Sequence, residues 1–152
     1  RFMPQGVPSH VQRNSLPYSG HLLENITEAL SLAPGGYPEL LTEYQQRVGS
    51  LMYAATSTRP DIAYVTHQLC KCLQRPTPAL LRETDHVLAY LHRHSTVGLT
   101  YDRDRGGLEG FADASWETRN STSGWVCKWA SAALTWGSRK QKSVALSTCE
   151  AE

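Results

Sequence analysis

The feature that most constrains this chain is a change of hydrophobic period near His94. Between Glu39 and His94, apolar residues recur at spacings of three and four, which places them on one face of a helix. Val48, Leu51, Met52 and Ala55 make one such stripe. After the break TSTRP, Ile62, Val65, Leu69 and Cys72 or Leu73 make a second. After QRPTP, Leu80, Leu81, Thr84, Val87, Leu88 and Leu91 make a third. Pro60 and Pro78 suit first helical turns, where a missing N–H costs nothing. Asp61 suits the positive end of a helix dipole, and Thr77 is placed to cap. The spacing predicts helices over residues 39–55, 60–73 and 78–94.

Past His94 the residues alternate and become β-branched and aromatic, the pattern of strands. GLTYDR predicts a short strand, and Asp104-Arg105-Gly106-Gly107 a turn. Three further strands are predicted over 108–115, 123–130 and 133–140, the last two a hairpin joined near Ala130-Ser131-Ala132. Trp116, Trp125, Trp129 and Trp136 suggest a covered sheet face, with core packing preferred to base stacking. The class is therefore α+β, a helical segment followed by an antiparallel three-strand sheet. Residues 1–43 say least. HLLENITEALSLA has weak helical periodicity through Leu22, Ile26, Ala29 and Leu30, and the turn Pro34–Pro38 follows. This lead-in is expected to order only against a part of the protein outside the chain.

Composition excludes several function classes. Hydrophobic residues are 40% and charged residues 19% of 152, which argues against disorder. The net charge of +1 gives no overall field for a polyanion, so nucleic-acid contact must come from local patches. Cys70, Cys72, Cys127 and Cys149 match no zinc spacing and are expected to be free or buried thiols in a reducing compartment. No apolar run is long enough to span a membrane. The chain opens on Arg1 and stops at Glu152 as an apparent helix begins, and the expectation is a piece of a longer chain.

Two carboxylates stand out. Asp113 lies inside a strand-like run and Glu152 in a helix-like one. Ser147 and Glu150 form a capping-box pattern, which accounts for Glu150 structurally and leaves Glu152 without a local task. Clustered carboxylates can hold two divalent ions about 3.5–4 Å apart, which activate water and stabilise a leaving oxygen in phosphodiester hydrolysis. On residues alone, Asp113 also reads as a strand-end residue capping a turn.

Several ordered blocks resemble the Pol polyprotein of copia-type long-terminal-repeat retrotransposons. RVGSLMYAATSTRPDIAYV is similar to that family's VGSLLYLA…TRPDIAYAV, and HVLAYLHRHSTVGLTY to RVLRYLKGT…GLTY. GFADASW resembles GYSDADW, NSTSGWV resembles KSTSGYV, and LTWGSRKQKSVALSTCEAE resembles ISWKSKKQ…VALSSTEAEY. The resemblance runs from about Tyr44 to Glu152 and implies three parts: lead-in 1–43, a helical reverse transcriptase thumb or connection region 44–96, and the first half of an RNase H-like domain 97–152.

It also implies that Asp113 and Glu152 are catalytic metal ligands for Mg²⁺ or Mn²⁺, with Glu150 the alternative to Glu152. Arg139, Lys140 and Lys142 would contact an RNA–DNA hybrid or template–primer, whereas Arg103 and Arg105 read equally as a solvated turn. The implied partner is the rest of the Pol polyprotein, and the implied location is cytoplasmic or nuclear, within the cell. The family's second Asp in DAD is Ser115 here, and the following Ala-Gly-Asp is Glu117-Thr118-Arg119, so the loop after this strand is altered. The family's polymerase carboxylates and later RNase H acids fall outside the chain, so the chain alone is expected to be inactive. The rival reading is a degenerate or repurposed, non-catalytic nucleic-acid-binding or scaffold module.

Overall fold

A computed structural model describes residues 16–103, 106–115 and 122–141. Four α-helices come first: α1 Leu22–Ser31, α2 Pro38–Ser57, α3 Ala63–Cys70 and α4 Pro78–Arg93. A 3₁₀ turn, Pro60–Ile62, leads into α3. Three strands follow: β1 Leu108–Ser115, β2 Thr122–Trp129 and β3 Ala132–Lys140. They form one antiparallel sheet in the order β1-β2-β3. The α+β reading holds, and the three expected helices and three long strands fall within a few residues of their expected bounds.

The stripes read from the sequence form the helical core. Val48, Leu51 and Ala55 of α2 meet Ile62, Val65, Leu69 and Cys72, with Leu80 and Val87 of α4 closing the set. Met52 is the exception and stays exposed, at the edge of its stripe. Each fully buried aliphatic side chain here stabilises by about 1.5–3 kcal/mol. Tyr44, fully buried, donates its hydroxyl to the Leu69 carbonyl at 2.8 Å, so its one polar atom has a partner. Thr77 caps α4 as expected, its hydroxyl accepting from the Leu80 N–H at 3.2 Å. Cys70 and Cys127 are half-buried and Cys72 is buried, all free thiols; burial pushes Cys72 up to about 11.

Two expectations need correction. From residue 16 on, the lead-in does not require a missing partner: Leu22, Ile26 and Ala29 of α1 are buried in the same core, while residues 1–15 lie outside the described residues. Polar contacts hold the segment to α4, because buried Glu83 accepts from the Ser19 hydroxyl and from Asn25 Nδ2 at 2.9 Å. The carboxylate lies on α4, some sixty residues away, so local periodicity could not show it. The second correction concerns GLTYDR, which is extended but forms no strand. It docks on the hairpin end through Asp102 N–H to the Ala130 carbonyl at 2.8 Å and Tyr101 hydroxyl to the Ala133 carbonyl at 2.8 Å.

The β2–β3 turn uses Ala130 (φ 49°) and Ser131 (φ 70°), both left-handed, as a tight two-residue hairpin turn requires. Antiparallel partners project to the same face. Phe111, Val126 and Trp136 therefore form one row, and Asp113, Gly124 and Ser138 the next row on that face. This face meets the helices: Trp136 Nε1 donates to the Ala55 carbonyl at 2.7 Å, near the end of α2. On the other face Trp125 covers Gly137, where a Cβ would stand 2.7 Å from the indole nitrogen. Trp125 and Trp129 remain substantially exposed, so core packing describes Trp136 and not these two.

Candidate functional site

The helix-facing rows of the sheet and the start of α3 enclose a groove of about 790 Å³. Pro60, Asp61 and Tyr64 line one wall, and Phe111, Asp113 and Trp136 the other. Gly124 lies between Asp113 and Ser138 in the cross-strand row and leaves the floor low. Asp113 is exposed at this groove, and its Oδ1 accepts from the Ala114 N–H at 2.8 Å. The strand thus presents a carboxylate in an open concavity, with β1 pairing fixing its position.

Asp61, across the groove, is differently placed. Arg59 donates to it through Nε at 2.9 Å and Nη2 at 2.7 Å, and the Tyr90 hydroxyl donates at 3.0 Å. Arg59 also reaches the His94 carbonyl at 3.1 Å, at the end of α4. Burial opposes the Asp61 charge, but the hydrogen bonds from Arg59 and Tyr90 outweigh it and hold the carboxyl below its usual range. The same hydrogen bonds to the Asp61 carboxylate hold the Arg59 guanidinium above its own. The motif STRPDIAY is therefore a clamp between the end of α2, the start of α3 and the end of α4. Sequence reasoning assigned Asp61 to a helix dipole and missed this, because Tyr90 and His94 are remote in the chain.

The other expected site residues divide. Glu152, Glu150 and Lys142 lie outside the described residues, as does Arg105. Arg139 and Lys140 are exposed at the end of β3. Strand alternation sends these two to opposite faces. Lys140 is close enough to Lys71, just past α3, that its charge adds to burial in lowering the Lys71 ammonium. Lys71 was not singled out from the sequence; the sheet brings it to the Lys140 end. Among the described residues no three His, Cys, Asp or Glu side chains converge as a metal site.

The class these features define is an α+β protein in which a helical unit docks on an antiparallel sheet whose first strand offers an open carboxylate. No protein-family model matches the chain, and no solved structure matches it. Curated relatives do. It is 31% identical over 148 residues to the retrovirus-related Pol polyprotein from transposon TNT 1-94 of Nicotiana tabacum, covering 92% of this chain and 11% of that protein. It is 34% identical over 116 residues to the Pol polyprotein from transposon RE1 of Arabidopsis thaliana, covering 73% of this chain and 8% of the relative. A secreted RxLR effector protein, number 161 of Plasmopara viticola, is 38% identical over 114 residues, which is 72% of this chain and 80% of the effector.

The chain belongs to the family of retrovirus-related transposon Pol polyproteins, and it spans about a tenth of the two plant polyproteins named above. Among the described residues no helix is long and apolar enough to cross a membrane.

Proposed function

We propose that the chain is the stretch of a copia-type Pol polyprotein in which a helical thumb or connection region leads into a ribonuclease H domain. The parent would copy RNA into DNA and hydrolyse the RNA strand of RNA–DNA hybrids inside the cell, together with the rest of the polyprotein. The observation that carries this reading is Asp113, an exposed carboxylate on the first strand of an antiparallel sheet, at the position where the GFADASW block resembles GYSDADW. Divalent Mg²⁺ or Mn²⁺ would supply water activation and leaving-group stabilisation. Asp113 and Glu152 would hold it, with Glu150 kept for the helix cap. Hybrid backbone contact would fall to Arg139, Lys140 and Lys142. Since the described residues supply Asp113 alone, the pairing with Glu152 is what the experiment decides.

The experiment is a hybrid-cleavage and DNA-synthesis assay on the full parent polyprotein with Asp113→Asn, Glu152→Gln and Glu150→Gln, with thermal stability measured alongside. Asp113→Asn and Glu152→Gln should abolish cleavage and leave synthesis. Glu150→Gln should chiefly lower stability, by about 1 kcal/mol for a lost cap interaction. Cleavage surviving in Asp113→Asn overturns the site. Loss in Glu150→Gln with a stable fold, and none in Glu152→Gln, moves the ligand to Glu150.

One finding favours a second reading. The matched segment makes up 80% of the Plasmopara effector, so a segment like this one can stand as most of a protein. A repurposed, non-catalytic binding or scaffold module follows from that, and in it Asp113→Asn changes no hydrolysis in any context.

A further inference from the structure

The groove beside Asp113 is built for more than a metal ion. Its walls carry the rings of Tyr64, Phe111 and Trp136, and among the described residues no Lys or Arg lines it. Asp61 is already paired with Arg59, whereas Asp113 has no ion-pair partner among the described residues. With no metal ion on Asp113, a phosphate or an acidic peptide would meet a like charge there. A purely apolar segment would bury Asp113 without a partner, which costs more than the contact returns.

The neighbouring wall shows what such surroundings accept. Arg59 lies 5.8 Å from the centre of the Tyr90 ring while its guanidinium is bonded to Asp61. Lys128 lies 5.8 Å from the centre of the Phe111 ring at the sheet side. The fold thus twice sets a cation over a ring in this region, once with an aspartate as counter-ion. A planar guanidinium can stack on a ring and bond a carboxylate through two parallel N–H donors, which an ammonium cannot do as well. The groove is larger than one side chain and open, leaving room for a peptide backbone.

We propose that this groove binds an arginine side chain presented by a partner polypeptide, with Asp113 as the carboxylate partner and Tyr64, Phe111 and Trp136 as the ring walls. The proposal rests on the second, non-catalytic reading, in which Asp113 holds no metal ion.

The test titrates the whole chain with acetyl-Gly-Arg-Gly-amide, followed by NMR at the Trp136 indole, assigned through Trp136→Phe. The matched peptide with citrulline in place of arginine keeps the shape and removes the charge. Arginine should bind at least about tenfold more tightly than citrulline, the difference a charge-assisted pair makes. Asp113→Asn should remove the difference, and Phe111→Leu should weaken arginine binding while leaving the fold intact. Equal binding of the two peptides, no shift with arginine, or an unaltered Asp113→Asn titration overturns the proposal. A parallel titration with Mn²⁺ separates the two ideas. Asp113-dependent Mn²⁺ binding without arginine binding sinks the groove proposal and leaves the hydrolytic reading standing. Arginine binding without Mn²⁺ binding does the reverse.

Discussion

A carboxylate at a groove can serve as ligand, clamp or cap, and Asp113 and Asp61 show how neighbours decide. Asp61 has a guanidinium, a phenol and partial burial; Asp113 has, among the described residues, one backbone N–H, and it is exposed. Replacing Asp61 by Asn leaves Arg59 buried without its counter-ion. That should cost about 2–3 kcal/mol, below the full penalty for breaking a buried pair because solvent still reaches the carboxylate. The sign with pH follows from the lowered carboxyl. Its contribution is present above the ordinary aspartate value, about 3.9, and is lost as pH falls through the lower folded value. Urea melts of wild type and Asp61→Asn should therefore differ at pH 7 and converge in strong acid. A difference unchanged in acid contradicts the clamp. This clamp was invisible in the sequence, where the Arg-Pro-Asp spacing is apparent but the residues that complete it, Tyr90 and His94, are some thirty positions on.

At the level of elements, the junction of α3 with β3 joins the helical unit to the sheet. His67 is on α3, with its Nε2 buried and without a hydrogen-bond partner, and Ser138 on β3 has a buried hydroxyl in the same condition. Burial first, then the Lys71 charge, holds the His67 imidazole below its usual range. The unfolded chain takes up a proton near pH 6.5 while the folded chain resists it. Stability from this group is thus complete above about pH 6.5 and declines as pH falls toward the folded value. His67→Gln cannot titrate, so it should flatten the fall between about pH 7.5 and 5. The comparison must be made between the two proteins, because His21, raised by its hydrogen bond to Glu24, contributes with the opposite sign. Identical pH slopes would place the acid sensitivity elsewhere. The elements themselves were legible, since periods of 3.6 and 2 are local properties. The clamp and docked edges were not, because partners some thirty to eighty residues apart make them. The candidate site was half legible: the strand carboxylate was found, while its groove depends on how the helices meet the sheet.

For the molecule as a whole, under the proposed ribonuclease H reading a net charge of +1 would leave nucleic-acid affinity to a few placed cations. Lys71 and Lys140 come together across the two halves, so hybrid binding should weaken steeply with salt. Lys71→Ala and Lys140→Ala should each reduce the slope of log affinity against log salt by about 1, as counterion release requires. Arg82→Ala, on the exposed face of α4, is the control. Equal slopes in all three variants would show that this junction does not meet the backbone.

The bond between Asn25 and Glu83 spans 58 residues, and that between Ser19 and Glu83 spans 64. On a ribosome adding about 5–20 residues per second, the first helix emerges roughly 3–13 s before its counterpart is made. For that interval Leu22, Ile26 and Ala29 lack the α4 surface they pack against, and the nascent amphipathic segment is a natural target for holding chaperones. The last helix of the unit, not the first, sets when this half of the protein can close.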